Sequence, residues 1–157
     1  MNAELVKVRF SLEQDEDGWP PATSEGVWAE PLGGDRYRIS NTPWWVRGLS
    51  YDDVVEARAD SDGILWATRK ITFSGRLTVR VIPLREGPLA GSERAVLDAF
   101  TDLGVGGEIA GHGYRIVALD IPPDADFRAI VARLRAGQAD GSWAYEEACV
   151  TDEWLAL

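Results

Sequence analysis

The sequence predicts an α+β protein in which a small, strongly bent β-sheet or barrel packs on a second unit of four strands and two helices. Up to residue 74, short segments of alternating apolar and polar residues are separated by turns rich in Gly, Pro and Asp, a pattern typical of small β-structures. From residue 75 onward, two segments carry apolar residues at helical spacing between strand-like segments. The length of 157 residues suits two small units. We therefore expect units at 1–74 and 75–157 that form one compact body.

The first half contains one isolated strand and two hairpins. The isolated strand alternates apolar with basic side chains, as a half-buried strand does. Gly33-Gly34-Asp35 and Asp60-Ser61-Asp62-Gly63 lie between the strands of the two hairpins, and Gly and Asp suit such tight turns. The predicted strands are residues 6–10, 26–30, 36–39, 54–58 and 64–68.

The second half alternates strands with two amphipathic helices. The predicted elements are a strand at 77–82, a helix from its N-cap Ser92 to Gly104, a hairpin of 108–110 and 114–119, a helix from its N-cap Asp124 to Gly137, and a strand at 143–150. Each helix carries a single apolar stripe, so both should cover one face of the sheet. This order of elements predicts the split βαβ arrangement of a ferredoxin-like unit.

The charge argues against several classes of partner. The chain has 16 basic and 26 acidic residues, a net charge of −10, and residues 1–74 and 75–157 each carry 8 basic and 13 acidic residues. Without a basic region, we expect neither nucleic acid nor a membrane surface as a partner. The start of the chain lacks a signal-peptide pattern and no apolar run is long enough to span a membrane, so we expect a cytoplasmic protein. A basic protein is a compatible partner.

One segment resembles a known family. The run Asn41-Thr42-Pro43-Trp44-Trp45 is followed by a Gly and then by an Asp-Val pair. It resembles the signature of an uncharacterised bacterial family, the domain of unknown function DUF4265, on Asn41, Pro43, Trp44, Trp45, Gly48, Asp53 and Val54. Asp52 stands at the position of a family Gly. The resemblance covers about residues 6–82, and more weakly the remainder of the chain. It implies a bacterial origin and no established activity.

The two adjacent tryptophans are the first candidate binding residues. Because neighbouring residues of an extended chain point to opposite faces, one of Trp44 and Trp45 should point inward and the other outward, where it would suit a protein or a stacked ring. Arg38 and Arg47, with Arg36, lie close to them in sequence and suggest a small anion pocket. The alternative is that both indoles are enclosed and that these arginines pair with Asp52 and Asp53.

The chemistry-bearing residues are few. His112, the single histidine, lies between two glycines at a predicted hairpin tip, where it is either a general base or a turn residue without catalytic function. The lone Cys149 should be a buried thiol, and the absence of a Cys/His cluster argues against a zinc site. We therefore expect no metal and no cofactor.

The C-terminal segment combines acids with aromatic residues and has no basic residue after position 137. Such a surface would suit a basic protein, because charge accelerates association and rings supply contact area. Alternatively, Trp143 and Tyr145 face the core of an edge strand. The candidate contact residues are Trp143, Tyr145, Glu146, Glu147, Asp152, Glu153 and Trp154.

Three functions are compatible with these patterns. The first is a non-catalytic acidic protein that captures a protein partner, as immunity proteins and inhibitors do. The alternative is a small-ligand sensor or regulatory domain, with an apolar pocket near Trp44, Trp45 or Arg38. An enzyme ranks third, because the sequence has neither a nucleophile elbow nor a cysteine beside a base.

Overall fold

The computed structural model describes residues 4–111 and 113–157. Contacts divide the chain into two compact units, Met1–Ser74 and Gly75–Leu157. The protein is of mixed α+β class, with one closed barrel and one four-stranded sheet that carries helices. Among the described residues, no helix has both the length and the apolar character needed to cross a membrane.

The first unit is a closed barrel of five strands, which confirms the predicted small barrel. Its strands are β1 (Val6–Ser11), β2 (Ser24–Gly33), β3 (Arg36–Ile39), β4 (Val54–Ala59) and β5 (Leu65–Thr72). Consecutive strands pair antiparallel. Strands β1 and β5 close the barrel in parallel, and their register pairs only Val8 with Leu65 and Arg9 with Trp66. We call this short parallel contact the seam.

Alternation along the strands builds the barrel core. In β2, Val27 and Ala29 point inward and are fully buried, whereas Trp28 between them is 45% exposed. The other buried apolar residues of this core are Val8, Ile39, Val46, Leu49, Val55 and Ala57.

The second unit is a four-stranded antiparallel sheet of order β7-β8-β6-β9. Its elements are β6 (Leu77–Pro83), α1 (Glu93–Asp98), a 3-10 helix (Thr101–Leu103), β7 (Gly106–Ile109), β8 (Val117–Ile121), α2 (Phe127–Ala139), β9 (Trp143–Cys149) and α3 (Asp152–Leu155). One apolar core is formed by alternate residues of β6 and β8 together with residues of the helical segments. The latter include Val96 of α1, Phe100 just after it, and Ile130 and Leu134 of α2.

The second helix differs from its predicted form at both ends. Asp126 caps it, because its carboxylate accepts a hydrogen bond from the Ala129 N–H at 3.1 Å, so the prediction of Asp124 is wrong. Gly137 does not end the helix, which continues to Ala139. A Cβ at Gly137 would lie 2.1 Å from the Trp143 ring, so the glycine allows the helix to approach the strand closely.

The first helix begins at the predicted cap and ends early. Ser92 accepts a hydrogen bond from the Ala95 N–H, and the α-helix stops at Asp98 before the 3-10 turn. Gly104 ends that turn in a left-handed conformation with φ of 73°, as predicted. The short helix α3 was not predicted, although Thr151 with Asp152 and Glu153 is a typical helix start.

Candidate functional site

A buried carboxylate organises the segment that carries the two tryptophans. Glu25 of β2 is 6% exposed, and its oxygens accept hydrogen bonds from the main-chain N–H groups of Trp44, Trp45 and Val46 at 2.8–3.0 Å. Three donors aimed at one carboxylate offset the free-energy cost of burying its charge. The turn after Pro43 is therefore fixed to the barrel wall through its backbone.

A second buried carboxylate fixes the end of the same segment. Asp53 is fully buried, and it accepts hydrogen bonds from the Ser50 and Ser74 N–H groups, each at 2.8 Å. The Lys70 ammonium lies 3.0 Å from the same side chain and also donates to the Gly48 carbonyl. Asp53 thus joins the turn to Lys70 of β5 and to Ser74, two residues after that strand ends.

Asn41 connects the signature to an exposed tryptophan of β2. Its Oδ1 accepts a hydrogen bond from the Trp28 N–H at 2.7 Å, and the Ser40 N–H donates to the Trp28 carbonyl at 2.8 Å. The main-chain N–H and carbonyl of Trp28 are therefore both hydrogen-bonded, the first to Asn41 of the signature and the second to Ser40 just before it. A side chain on such a fixed backbone loses little further backbone freedom when it binds a partner.

Trp28 lies in a groove at one end of the seam. The groove has a volume of about 600 Å³ and is lined by Leu5, Val6, Lys7, Arg9, Trp28, Gly63, Ile64 and Leu65. We call it the Trp28 groove. Leu5, Trp28 and Ile64 are 43%, 45% and 40% exposed, so large apolar side chains are grouped on this surface. The Lys7 ammonium lies 4.3 Å from the centre of the Trp28 ring.

A carboxylate-capped turn positions the far side of this groove. Asp60 accepts hydrogen bonds from the N–H groups of Ile64 and Asp62 and from the indole N–H of Trp66. These bonds, the one from the Ile64 N–H above all, hold the pKa of Asp60 below its usual value. The charged form of Asp60 therefore maintains the turn that presents Ile64.

The predicted tryptophan pair does not line the Trp28 groove. Trp44 and Trp45 are both half-buried, and the ring of Trp45 meets that of Trp19 edge-on with centroids 5.3 Å apart. Among the described residues, no group accepts a hydrogen bond from the buried Nε1 of Trp44. Trp45 and Arg47 line a cleft of about 220 Å³ together with Ser11, Leu12, Glu13, Pro20 and Val46.

The arginines were expected either to form an anion pocket or to pair with Asp52 and Asp53. Arg38 lies 3.5 Å from Glu30 on the neighbouring strand, and Asp53 takes Lys70 as its cation. Arg38 thus has a carboxylate partner, but the strand register makes that partner Glu30. Arg47 is exposed.

The C-terminal candidates divide into core and surface residues. Trp143 and Trp154 are 5% and 3% exposed and belong to the core of the second unit. Glu147 accepts the indole N–H of Trp154, and Glu146 lies 2.6 Å from the buried Arg80. The side chains left at the surface are those of Glu147, Asp152 and Glu153, while Tyr145 and Glu146 are half-buried.

Three further expectations concern the single histidine, the single cysteine and metal binding. His112 lies outside the described residues. Cys149 is a buried free thiol, as predicted. In residues 4–111 and 113–157, no three His, Cys, Asp or Glu side chains are grouped in a way that would hold a metal ion.

Sequence reasoning missed two supports of this segment, the buried Glu25 and the more exposed Lys70. For Glu25 a signal was present, because it shares the inward parity of Val27 and Ala29 along β2. A charged residue at an inward position of a strand indicates a hydrogen-bonded role. For Lys70 no local signal exists, because its partners Gly48 and Asp53 come from another part of the chain.

Comparison with known proteins places the fold and the family. The chain is similar to a hypothetical protein from Neisseria gonorrhoeae of known crystal structure, with a TM-score of 0.74 and 17% sequence identity. The similarity covers 95% of this chain and 97% of the other, and at that identity it shows the fold alone. No functionally curated protein matches the sequence. A family model matches residues 25–145, and the chain therefore belongs to the family described as Domain of unknown function (DUF4265).

Proposed function

We propose that this protein is a non-catalytic binding protein that captures a protein partner through the Trp28 groove, in the manner of an immunity protein or an inhibitor. The observation that carries the proposal is that the Trp28 side chain is exposed while its own main-chain N–H and carbonyl are both fixed by hydrogen bonds. The side chain of Trp28 is 45% exposed, and covering this apolar surface with a partner would lower the free energy of the complex.

The grouping of apolar side chains supports a protein contact. Single exposed apolar residues are common on protein surfaces, whereas a contiguous patch with a polar rim is typical of interaction sites. Leu5 and Ile64 flank Trp28 in one groove, and Lys7 and Arg9 supply the polar rim. Tryptophan is also the residue type most enriched among the residues that dominate binding energy.

The overall charge supports a basic partner. A net charge of −10 attracts a basic protein over distances longer than any direct contact and raises its association rate. Asp152 and Glu153, in the first turn of α3, are exposed and belong to the acidic surface predicted from the sequence. In this proposal the net charge of the chain governs the approach of the partner. The Trp28 groove, whose rim carries the cations Lys7 and Arg9, then contacts an apolar part of that partner and not its basic groups.

The test compares two truncations of exposed apolar side chains. Wild-type protein, Trp28→Ala and Leu155→Ala are each used to capture proteins from a lysate of the native bacterium, and retained proteins are purified and measured by calorimetry. Leu155, 62% exposed in the other unit, is the matched control. We expect Trp28→Ala to weaken binding by about thirtyfold, since truncating a dominant contact residue costs about 2 kcal/mol. Leu155→Ala should bind like wild type.

Two further measurements complete the test. The thermal unfolding of Trp28→Ala should match that of wild type, because the side chain lies on the surface. Glu153→Lys should lower the association rate and make it less sensitive to salt, with little change in the dissociation rate. Capture of the same proteins with equal affinity by Trp28→Ala would overturn the proposal, and so would a wild-type bait that retains nothing.

We also propose that the second unit is ferredoxin-like and that the two units are separate domains of a bacterial cytoplasmic protein. The strand order β7-β8-β6-β9, fully antiparallel, supports the ferredoxin-like assignment because the first and third strands are central and neighbouring. Expression of residues 1–74 and 75–157 as separate chains tests the domain assignment. Each should give a cooperative unfolding transition, and an unstructured fragment would contradict it.

A further inference from the structure

The barrel has a second opening, at the other end of the seam. Strands β1 and β5 pair only at Val8–Leu65 and Arg9–Trp66, so the next residues of each strand, Phe10 and Ala67, do not continue the ladder. Phe10 and Ala67 line a cleft of about 200 Å³ at this point. We call it the seam cleft. Its other lining residues are Val46, Arg47, Gly48, Leu49, Val55, Thr68, Arg69 and Lys70.

The floor and the rim of the seam cleft differ in chemistry. The floor consists of barrel-core residues, among them Leu49 and Val55, which are 2% and 1% exposed. The rim carries the cations Arg47, Arg69 and Lys70, and none of the described residues that line the cleft is acidic. An apolar floor beneath a cationic rim is complementary to a molecule with an apolar body and an anionic end.

Two of the rim cations, Arg69 and Lys70, have carboxylate partners that lie outside the cleft lining. Lys70 is bonded to the buried Asp53, and Arg69 lies 3.3 Å from Glu56. A hydrogen bond from Thr68 and the nearby guanidinium of Arg69 lower the pKa of Glu56, so this pair stays charged. The side chain of Arg69 is nevertheless 66% exposed, and a guanidinium has five donors, which leaves several of them for a ligand.

We propose that the seam cleft is a binding site for a small carboxylate with a compact apolar body, such as an aromatic acid. The carboxylate would accept paired hydrogen bonds from the arginines of the rim, as guanidinium geometry favours. The apolar body would cover the floor formed by Leu49, Val55 and Ala67. A volume of about 200 Å³ lies below the range of drug-sized sites, about 300–1,000 Å³, which restricts the ligand to a small one.

This site goes beyond the proposed capture of a protein and is independent of it. Trp28 does not line the seam cleft, and Arg47 and Arg69 do not line the Trp28 groove. Trp44, Trp45 and Arg38, near which the sequence predicts a pocket, are not among the lining residues of the seam cleft, although Val46 and Arg47, which follow Trp45, are. Loss of one binding activity would therefore leave the other intact.

Benzoate is the probe for the test, with benzyl alcohol as its uncharged counterpart. Each is titrated into the full-length ¹⁵N-labelled protein while amide chemical shifts are followed by NMR. We expect benzoate to saturate with a Kd of about 1 mM or tighter and to move the amides of residues 46–49 and 67–70. Benzyl alcohol should bind about tenfold more weakly, because it cannot form charge-assisted hydrogen bonds.

Three variants locate the site. Arg69→Gln should weaken benzoate binding about fivefold to tenfold, whereas Arg58→Gln should not, although Arg58 is an equally exposed arginine that also pairs with Glu56. Ala67→Leu should prevent binding because it fills the cleft. The proposal is overturned if benzoate gives no saturable shifts in these two segments, if benzyl alcohol binds as well as benzoate, or if Arg58→Gln and Arg69→Gln have equal effects.

Discussion

The two units are stabilised in different ways, although each is only about 80 residues long. In the barrel, the long segment between β3 and β4 is held through its main chain by two buried carboxylates, Glu25 and Asp53. In the second unit, the helices are held by apolar side chains, with Trp143 and Phe100 at 5.5 Å between ring centres. The comparison shows that a small unit can fix an irregular segment with buried charge where apolar packing is scarce.

The largest effect should follow from removing one of the buried carboxylates. Asp53→Ala removes the carboxylate that accepts hydrogen bonds from the Ser50 and Ser74 N–H groups and from the Lys70 ammonium, so we expect a loss of about 3–5 kcal/mol in the free energy of unfolding. Asp53→Asn keeps one carbonyl acceptor and should cost less. Urea unfolding measures both losses, and hydrogen exchange shows whether the loss is confined to the barrel. A loss from Asp53→Ala below about 1 kcal/mol would mean that the carboxylate is dispensable.

An intermediate effect should follow in the second unit from a single added methyl group. Replacing glycine by alanine inside a helix normally stabilises the helix by about 1 kcal/mol. At position 137, however, the new Cβ would lie 2.1 Å from the Trp143 ring. We expect the clash to dominate and to lower the unfolding free energy by about 1–3 kcal/mol. Gln138→Ala, at the next and exposed position of the helix, is the control and should be nearly neutral. Higher stability of Gly137→Ala would refute the close approach.

The smallest effect concerns Asp52 in the first unit and Ala90 in the second, two non-glycine residues with a left-handed backbone conformation. Asp52 has φ of 67° and Ala90 has φ of 51°, conformations that glycine adopts without strain. Aspartate tolerates this region better than alanine, so Ala90→Gly should stabilise by about 1 kcal/mol and Asp52→Gly by about half as much. The urea midpoints of the two variants measure the difference. A larger gain from Asp52→Gly would show that the signature turn is the more strained of the two.

The sequence predicts the regular elements well because their signals are local. Alternation of side chains and Gly-Asp turns indicated both hairpins of the barrel, and Ser92 with Gly104 marked the limits of the first helical segment. The errors also have local causes. Pro122-Pro123-Asp124 suggested a helix start, but Asp126 is the residue whose carboxylate reaches a free N–H of the first turn.

The candidate site was less predictable because its geometry depends on distant residues. Trp28 was part of a predicted hairpin, and nothing near it in sequence distinguished it from Trp44 or Trp45 as an exposed residue. Strand parity turns Trp28 outward, and Leu5 and Ile64, the residues just before the first and last strands of the barrel, line the same groove. Conversely, Trp143 and Trp154 were grouped with acids in the sequence but lie in the core.

Closure of the barrel by a parallel contact between its first and last strands has a consequence for biosynthesis. On the ribosome, the nascent chain can form its hairpins as soon as each has emerged, whereas the seam must wait for residues 65 and 66. Both openings at the seam come into being only with that last step. A translation product truncated before residue 65 would therefore display neither the Trp28 groove nor the seam cleft.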